Sequence, residues 1–469
     1  MLRNRLPEIE IPYDNPFQND KLNRKSCADT FCSLVKMYSD TGCVVALNGD
    51  WGMGKTTFVR MLMQKMEKEH AHPLYFNAWE NDYVSDPLIA LLAELKVLSP
   101  QSSKWNNVVA CGAKVLTSAA TSAVKTIVKN KLGIDSDAFE AGADEIEKLL
   151  KDDIEEFSKQ KTSFAEFRKA LQNYIAENTT EDYPVVFFVD ELDRCNPRFS
   201  VHVLERIKHL FDIPNVVFVL SINKKQLGYA VQGYFGSANI DADNYLRRFI
   251  DIEYSLPQPD REEFCQYLYH FYCFDEVFGN KDRKHNTEFQ SEGDNFLQMA
   301  KILLSSSKID LRTIDKVMAH TRLALMEFGK NNYIIPDVYF LLCYLKIVKP
   351  ELYRQIVDTS FTAQQLLTEL ESYFPRELLV MDVENTAWRQ MAHTIASLVY
   401  MYTLNFNGIE REQIIDPKNN MASVLKTTCI DQRFFDETLS FKKYRIGWAN
   451  TPLHFLIKRI ELEQGFVTY

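Results

Sequence analysis

The chain has 469 residues, too many for one typical hydrophobic core, so we expect two or three domains. A formal net charge of −10 argues against a broad surface for duplex nucleic acid. Nine cysteines without a C-x-x-C pair argue against a zinc site and predict reduced thiols. Since the first residues form no apolar run of signal-peptide length, we expect a cytoplasmic protein.

The first elements of the chain surround a glycine-containing loop. Apolar residues at helical spacing predict a lead-in helix over Ala28–Tyr38, and the run Val44–Leu47 predicts a strand. Residues Gly49–Thr56 then fit the pattern G-x-x-x-x-G-K-[ST], and a helical pattern begins at Thr57. A strand that fixes the loop, glycines that let backbone N–H groups surround phosphates, and a helix N-terminus aimed at them together predict a nucleotide pocket.

Each part of this loop has an expected role. The Lys55 ammonium is expected to bind the β- and γ-phosphates, and the Thr56 hydroxyl is expected to ligate the Mg²⁺ that bridges them. The alternative is a chance glycine turn with a surface lysine. The residues predicted to contact the nucleotide are Gly49, Trp51, Gly52, Met53, Gly54, Lys55, Thr56 and Thr57.

A second strand is predicted at Pro73–Trp79 and a helix at Leu88–Leu98, after which an insertion runs from about residue 99 to about 178. The part from 105 to 127 is poor in charge but contains Lys114 and many small residues. Three interpretations are open for it: a membrane span, a peripheral or partner-binding amphipathic helix, and an ordinary packed helix.

A further apolar run, Val185–Val189, predicts a buried parallel strand that ends in Asp190 and Glu191. Ligands of open α/β sheets bind at the carboxyl ends of such strands. We expect Asp190 to orient the Mg²⁺ shell and Glu191 to act as general base on the attacking water. Alternatively, the paired carboxylates cap the next helix.

The next strand, Asn215–Asn223, also has a polar end. Asn223 is our candidate for sensing the γ-phosphate, with a turn-forming asparagine as the alternative. A last strand is predicted at Phe249–Tyr254.

The segment Asp190–Cys195 (DELDRC) resembles the D-[DE]-L-D-R-C signature of the KAP family of P-loop ATPases. Three other segments are similar to that family: the loop Gly49–Thr56, the F-N-x-W run Phe76–Trp79, and Tyr245–Ile250, which a Leu-Pro pair follows. The resemblance covers about residues 25–330. It implies an ATPase core of the additional-strand, catalytic-glutamate class, related to signalling ATPases.

The implied architecture is an α/β, three-layer P-loop NTPase with a parallel sheet, a helical insertion and an all-α C-terminal lid and domain. We place the NTPase core at 1–260 and the helical remainder at 261–469, because helical patterns replace strand patterns from Asp260 onward.

The resemblance also makes three arginines candidates for phosphate contact. Arg247 and Arg248 precede the last strand and would act on the same or a neighbouring subunit, and Arg312 would act from the lid. For each, the alternative is a surface or structural arginine. Arg194 is expected to pair with Asp193.

The leading functional hypothesis is a Mg²⁺-dependent ATP-hydrolysing switch or motor subunit, in bacterial phage defence by family resemblance. The alternatives are a nucleotide-gated scaffold with little turnover and a DNA-engaged ATPase. The expected cofactors are ATP and Mg²⁺, and the expected partners are proteins encoded nearby or further copies of the chain. Nucleic acid is not indicated by the charge, and membrane contact is expected to be absent or peripheral.

Overall fold

The protein is built around a five-stranded parallel sheet in the order β2-β3-β4-β1-β5. The computed structural model describes residues 9–99, 101–118, 161–179, 183–306, 309–329, 331–382, 386–406, 412–419, 421–444 and 451–462. The strands are β1 (Cys43–Asn48), β2 (Pro73–Asn77), β3 (Val185–Asp190), β4 (Val216–Ile222) and β5 (Ile252–Ser255). Since β3 and β4 lie between β2 and β1, the carboxyl ends of the three motif-bearing strands meet at one edge.

Alternate side chains of the central strands enter two separate hydrophobic clusters, because successive residues of a strand point to opposite faces. Phe187 and Phe218 lie in one cluster, where their rings stack with centroids 5.1 Å apart. Phe188 and Val219 lie in the other cluster. Both faces of the sheet are therefore covered by helices, and the predicted three-layer α/β fold with a parallel sheet is confirmed.

The helices around the sheet follow the strand–helix alternation of the sequence. Residues of α1 and α2 pack on the face of Phe188, and residues of α3 to α7 pack on the face of Phe187. The bounds are α1 (Lys25–Met37), α2 (Lys55–Lys68), α3 (Pro87–Leu95), α4 (Ser103–Ser118), α5 (161–175), α6 (Pro197–Leu210), α7 (Lys224–Phe235) and α8 (Ala242–Leu246).

Two strand boundaries differ from the sequence-based prediction. β2 ends at Asn77 rather than Trp79, because the Asn77 side-chain oxygen accepts the backbone N–H groups of Trp79 and Glu80 and turns the chain. β5 begins at Ile252 rather than Phe249. The preceding residues form turns that continue α8, so the apolar run there is turn structure and not strand.

The described part of the insertion is packed helix. Trp105, Val108 and Val115 of α4 are buried in the cluster that contains Phe187, and Phe167 of α5 packs with them. The burial of these side chains favours an ordinary packed helix for the part of the segment 105–127 that the structure describes. Residues 119–160 lie outside the described residues. Among the helices that the structure describes, none is long and apolar enough to cross a membrane.

The chain divides into two compact units, Ile9–Gln258 and a helical unit, Pro259–Tyr469. Helix α14 is the centre of the second unit, since it packs against α12, α13, α15, α17 and α19 and buries its residues from Pro336 to Leu345. The helices of this unit are α9 (Arg261–Phe271), α10 (Phe274–Phe278), α11 (Lys281–Lys284), α12 (Glu292–Ser306), α13 (Leu311–Ala324), α14 (Pro336–Val348), α15 (Pro350–Val357), α16 (Ala363–Tyr373), α17 (Ala387–Thr403), α18 (Gln432–Tyr444) and α19 (Leu453–Ile460).

Around the C-terminus of α2, a hydrogen-bonded cluster links this helix to α1 and to the segment before β3. Glu69 accepts from Lys65 (2.7 Å), Lys36 (2.9 Å) and the Tyr183 hydroxyl (2.8 Å). Partial burial acts to raise the pKa of Glu69, but these three hydrogen bonds outweigh it and lower the pKa to about 2. The carboxylate is therefore stabilised by folding.

Glu69 should make the free energy of unfolding depend on pH in the acidic range. A depressed folded-state pKa contributes stability that is present above the ordinary value of 4.5 and is lost as pH falls toward about 2. We expect Glu69→Gln to lower the free energy of unfolding at pH 7 by about 1 kcal/mol, since the site is about a third exposed. The difference should shrink below pH about 4.5 and vanish near pH about 2, as urea unfolding across pH would measure. Glu67→Gln, at an exposed position of α2, is the matched control, and an equal loss there would contradict the assignment.

Candidate functional site

The loop between β1 and α2 takes its shape from two glycines. Gly52 has φ = 76° and Gly54 has φ = 79°, in the left-handed region that side chains with a Cβ rarely adopt. These conformations turn the chain from the end of β1 at Asn48 into the first turn of α2 at Lys55. The free N–H groups at the beginning of α2 therefore face the carboxyl edge of the sheet, where they can bind an anion.

Lys55 lies inside this loop and is largely buried. Its Nζ donates to the carbonyl oxygens of Gly49 (2.7 Å) and Asp50 (3.1 Å). Burial lowers the pKa of Lys55, while the carboxylates of Asp193 and Asp190 oppose that shift. The structure thus brings the cation of the loop close to the acidic end of β3.

Asp190 ends β3 with a carboxylate that is only 1% exposed. One of its oxygens accepts from the Tyr75 hydroxyl (3.1 Å), and the other accepts from the Glu191 backbone N–H (2.9 Å). Burial, followed by the negative charge of Asp190, raises the pKa of Tyr75, so that this hydroxyl stays a donor. Two neutral donors orient Asp190 without neutralising its charge.

Glu191 has an unusual backbone conformation for a residue with a side chain, φ = 59° and ψ = 24°. This turn aims its carboxylate away from the strand, where it accepts from Arg194 Nη1 at 2.6 Å and from Asn77 Nδ2 at 3.5 Å. The expected pairing of Arg194 with Asp193 is therefore wrong. Residues three apart in the helical turn that follows β3 face each other, whereas adjacent residues do not.

Asp193 instead contacts the glycine loop. Its Oδ2 accepts a hydrogen bond from Trp51 Nε1, across 142 residues of sequence. The carboxylate is 8% exposed and the indole is 42% exposed. A single hydrogen bond therefore joins the loop to the turn that holds Glu191 and Arg194.

Asn223 lies where β4 ends, beside the loop. Its Nδ2 donates to Asp50 Oδ1 (3.2 Å), and its Oδ1 accepts from the Gln226 backbone N–H (3.1 Å), which caps α7. The side chain therefore caps a helix, a role that differs from the turn-forming alternative, and it also contacts the loop. Its role as a γ-phosphate sensor stays a prediction.

The three arginine candidates are all exposed. Arg247 and Arg248 are exposed at the end of α8. They precede Asp251, whose carboxylate accepts from the Val44 N–H at the beginning of β1. Their contact with phosphate, in the same or a neighbouring subunit, stays a prediction. Arg312 is exposed on α13, in the second unit, and its role also stays a prediction.

The remaining predicted residues, Met53, Thr56 and Thr57, are buried or half-buried in the loop and in the first turn of α2. Met53 is buried and its Sδ accepts from the Asp50 N–H, whereas Thr56 and Thr57 are half-buried in the first turn of α2. Sequence reasoning missed two polar residues, Asn77, which donates to Glu191, and Arg24, which contacts the loop at Gly54. No motif marks Arg24, which lies 30 residues before the Gly54 carbonyl that it contacts.

A parallel sheet with a glycine loop between β1 and α2, and two carboxylates where β3 ends, defines a P-loop nucleotide-binding domain. The chain belongs to the KAP family, because the model described as "KAP family P-loop domain" matches residues 24–327. This confirms the resemblance that we drew from the motifs.

Two individual proteins show what the chain is similar to. It is 21% identical over 256 residues to the phage T7 exclusion protein of Escherichia coli (strain K12), a match that covers 50% of this chain and 33% of that protein. The chain thus spans about a third of the length of that relative. The second is the solved Aeropyrum pernix ORC2 protein in ADPNP-ADP complexes, and the alignment covers 94% of this chain and 86% of that chain. The two sequences are 13% identical and the TM-score is 0.30, which is too low to relate the two folds.

Proposed function

We propose that this protein binds ATP with Mg²⁺ and hydrolyses it, and that the cycle operates a regulatory switch or motor subunit. The observation that carries the proposal is the meeting of Lys55, Asp190 and Glu191 at one edge of the sheet, on three different elements. A phosphate-binding cation, a buried metal-type carboxylate and a second carboxylate one residue further are the parts that phosphoryl transfer to water needs. ATP rather than GTP is proposed because the chain has no N-K-x-D motif.

The residues on the α2 face of the sheet fit a magnesium ion. Asp190 supplies a buried carboxylate, and Thr56 supplies a hydroxyl in the first turn of α2, which are oxygen ligands that Mg²⁺ prefers. Ser221 of β4 is paired in register with Asp190, and its buried hydroxyl has no hydrogen-bond partner among the described residues. Asp190 and Thr56 would hold the ion, and Ser221 would add a polar group beside it. When bound, Mg²⁺ would supply positive charge that stabilises the negative charge developing in the reaction.

The other residues of the site would have separate roles in binding the phosphates and in hydrolysis. The N–H groups of the glycine loop and Lys55 would hold the β- and γ-phosphates. Glu191 would accept a hydrogen bond from the attacking water and orient it, once its carboxylate is released from Arg194. Asn223, which already donates to the loop at Asp50, would report the γ-phosphate to α7.

The setting that we propose is bacterial phage defence, on the basis of similarity to a phage exclusion protein. The proposed partners are proteins encoded nearby or further copies of this chain. Changes at the nucleotide site would alter what the insertion and the second unit bind. We propose that the protein works in the cytoplasm, with membrane contact absent or peripheral.

The test of the ATPase assignment is phosphate release from ATP and from GTP in the presence of Mg²⁺, and again with EDTA. We expect release that depends on Mg²⁺ and favours ATP, either for the purified chain or after proteins from neighbouring genes are added. If nucleotide binds but no phosphate is released under any of these conditions, the hydrolase proposal fails.

One observation favours the second candidate, a nucleotide-gated scaffold with little turnover. Arg194 and Asn77 both hold the Glu191 carboxylate, so the general base is engaged in this conformation. Arg194 in turn lies over the Trp79 ring, 5.7 Å from its centroid. A protein in this state would bind nucleotide and scarcely hydrolyse it.

Replacement of Arg194 by alanine should distinguish the two candidates. If Glu191 is a restrained base, the variant should release phosphate about three to ten times faster than the wild type, because a partly exposed ion pair is worth about 1 kcal/mol. Arg198→Ala, at an exposed position in α6, is the matched control. Slower hydrolysis in Arg194→Ala would show that Arg194 supports the reaction instead of restraining it.

A further inference from the structure

The segment before α1 places a buried cation against the glycine loop. Arg24 is only 3% exposed, and its Nη1 lies 3.4 Å from the Gly54 carbonyl oxygen. Leu22 approaches the same glycine, since its Cδ1 is 3.5 Å from the position that a Gly54 Cβ would occupy. The residues 22–24 therefore lie directly beside the first turn of α2.

The guanidinium has donors that nothing in the described residues uses. Nε and Nη2 of Arg24 are buried and have no hydrogen-bond partner there. The carboxylate of Asp20, which interacts electrostatically with Arg24, accepts from the backbone N–H groups of Leu22 (3.0 Å) and Arg24 (2.5 Å). Burial lowers the pKa of Arg24 to about 10, with Asp20 opposing this shift, so the side chain is still charged at neutral pH.

A buried, charged guanidinium with two unsatisfied nitrogens costs free energy, because the one hydrogen bond of Nη1 compensates only part of its desolvation. Such a group is rare in a core that has no function for it. Since Arg24 borders the loop, a ligand of that loop could supply the missing acceptors. The N–H groups at the beginning of α2 would bind the phosphates, so the remainder of a nucleotide would lie beside this turn.

We propose that Arg24 is a nucleotide-binding residue that contacts the part of the ligand beyond its phosphates, meaning the ribose or the base. This proposal rests on the proposed nucleotide site and extends it to a segment before the first strand. The planar guanidinium donates from several N–H groups in fixed directions, which suits the acceptor atoms on a base edge or a ribose. Binding would thereby satisfy Nε and Nη2 and fix residues 22–24 against Gly54.

The test compares Arg24→Met, Arg24→Lys, Lys55→Ala and the exposed control Arg198→Met. Affinity for ATP and for inorganic tripolyphosphate is measured by calorimetry, and thermal unfolding is recorded without ligand. We expect Arg24→Met to bind ATP about ten to a hundred times more weakly, as the loss of charge-assisted hydrogen bonds predicts, and to bind tripolyphosphate as the wild type does. Arg24→Lys should retain part of the ATP affinity.

The unliganded variant separates a ligand-binding role from a structural one. Removal of an unpaired buried charge should leave the melting temperature of Arg24→Met unchanged or higher. A lower melting temperature with unchanged ATP affinity would overturn the proposal, and so would equal losses of affinity for ATP and tripolyphosphate. Failure of the wild type to bind ATP would instead overturn the nucleotide site itself, for which Lys55→Ala is the independent control.

Discussion

Replacement of Glu191 by glutamine is expected to lower the rate of ATP hydrolysis about 10²- to 10³-fold while ATP binding is retained. The amide has almost the same shape as the carboxylate but cannot act as a general base, and the loss of a positioned base typically costs this factor. The hydrogen bond from Asn77 can persist, whereas the charge attraction to Arg194 is lost. Single-turnover phosphate release measures the loss of hydrolysis, and ATP affinity on the same preparation measures whether binding is retained.

The control for this variant is Glu67→Gln, on the exposed side of α2. It should hydrolyse ATP as the wild type does. Unchanged hydrolysis in Glu191→Gln would falsify the role of Glu191 as general base and would favour a protein that binds nucleotide without turning it over. Loss of ATP binding in that variant would instead indicate that Glu191 shapes the pocket.

The second large effect is expected for Lys55→Ala, which should weaken ATP binding about 10- to 100-fold and reduce hydrolysis to background. The variant removes the only cationic group of the glycine loop and with it charge-assisted hydrogen bonds to two phosphates. The substitution also removes the ammonium that donates to the carbonyl groups of Gly49 and Asp50 in the protein without nucleotide. Equilibrium binding of ATP and ADP with Mg²⁺ is the measurement.

Lys96→Ala, at an exposed position after α3, is the matched control and should bind ATP normally. Since Lys55 is proposed to bind the β- and γ-phosphates, the variant should lose affinity for tripolyphosphate as well as for ATP. That combination differs from the result expected for Arg24→Met. Wild-type affinity in Lys55→Ala would mean that the ligand does not occupy the glycine loop.

The parts of the site that lie within one local pattern could be predicted from the sequence. The glycine positions, Lys55 and the carboxylates after β3 all follow from a strand, a turn and a helix whose residue types are set by backbone geometry and charge. The parallel three-layer fold follows from the same alternation of strands and helices. These features depend on neighbours in sequence, so a single chain is sufficient to identify them.

The contacts between segments could not be predicted in this way. The hydrogen bond from Trp51 to Asp193 and the approach of Arg24 to Gly54 join segments that only the folded sheet brings together. The error at β5 has a similar cause, because an apolar run at Phe249 is equally compatible with a strand and with a buried turn. The wrong partner for Arg194 arose because adjacency in sequence was taken for adjacency in space.

The hydrogen bond between Trp51 and Asp193 couples the glycine loop to the turn after β3. The loop that would hold the phosphates and the turn that holds Arg194 share this bond, so displacement of one changes the free energy of the other. A partner that moves the turn must therefore alter the affinity for nucleotide, and nucleotide must alter the affinity for that partner by the same factor. Measurement of either affinity in the presence of the other ligand then gives the coupling free energy directly.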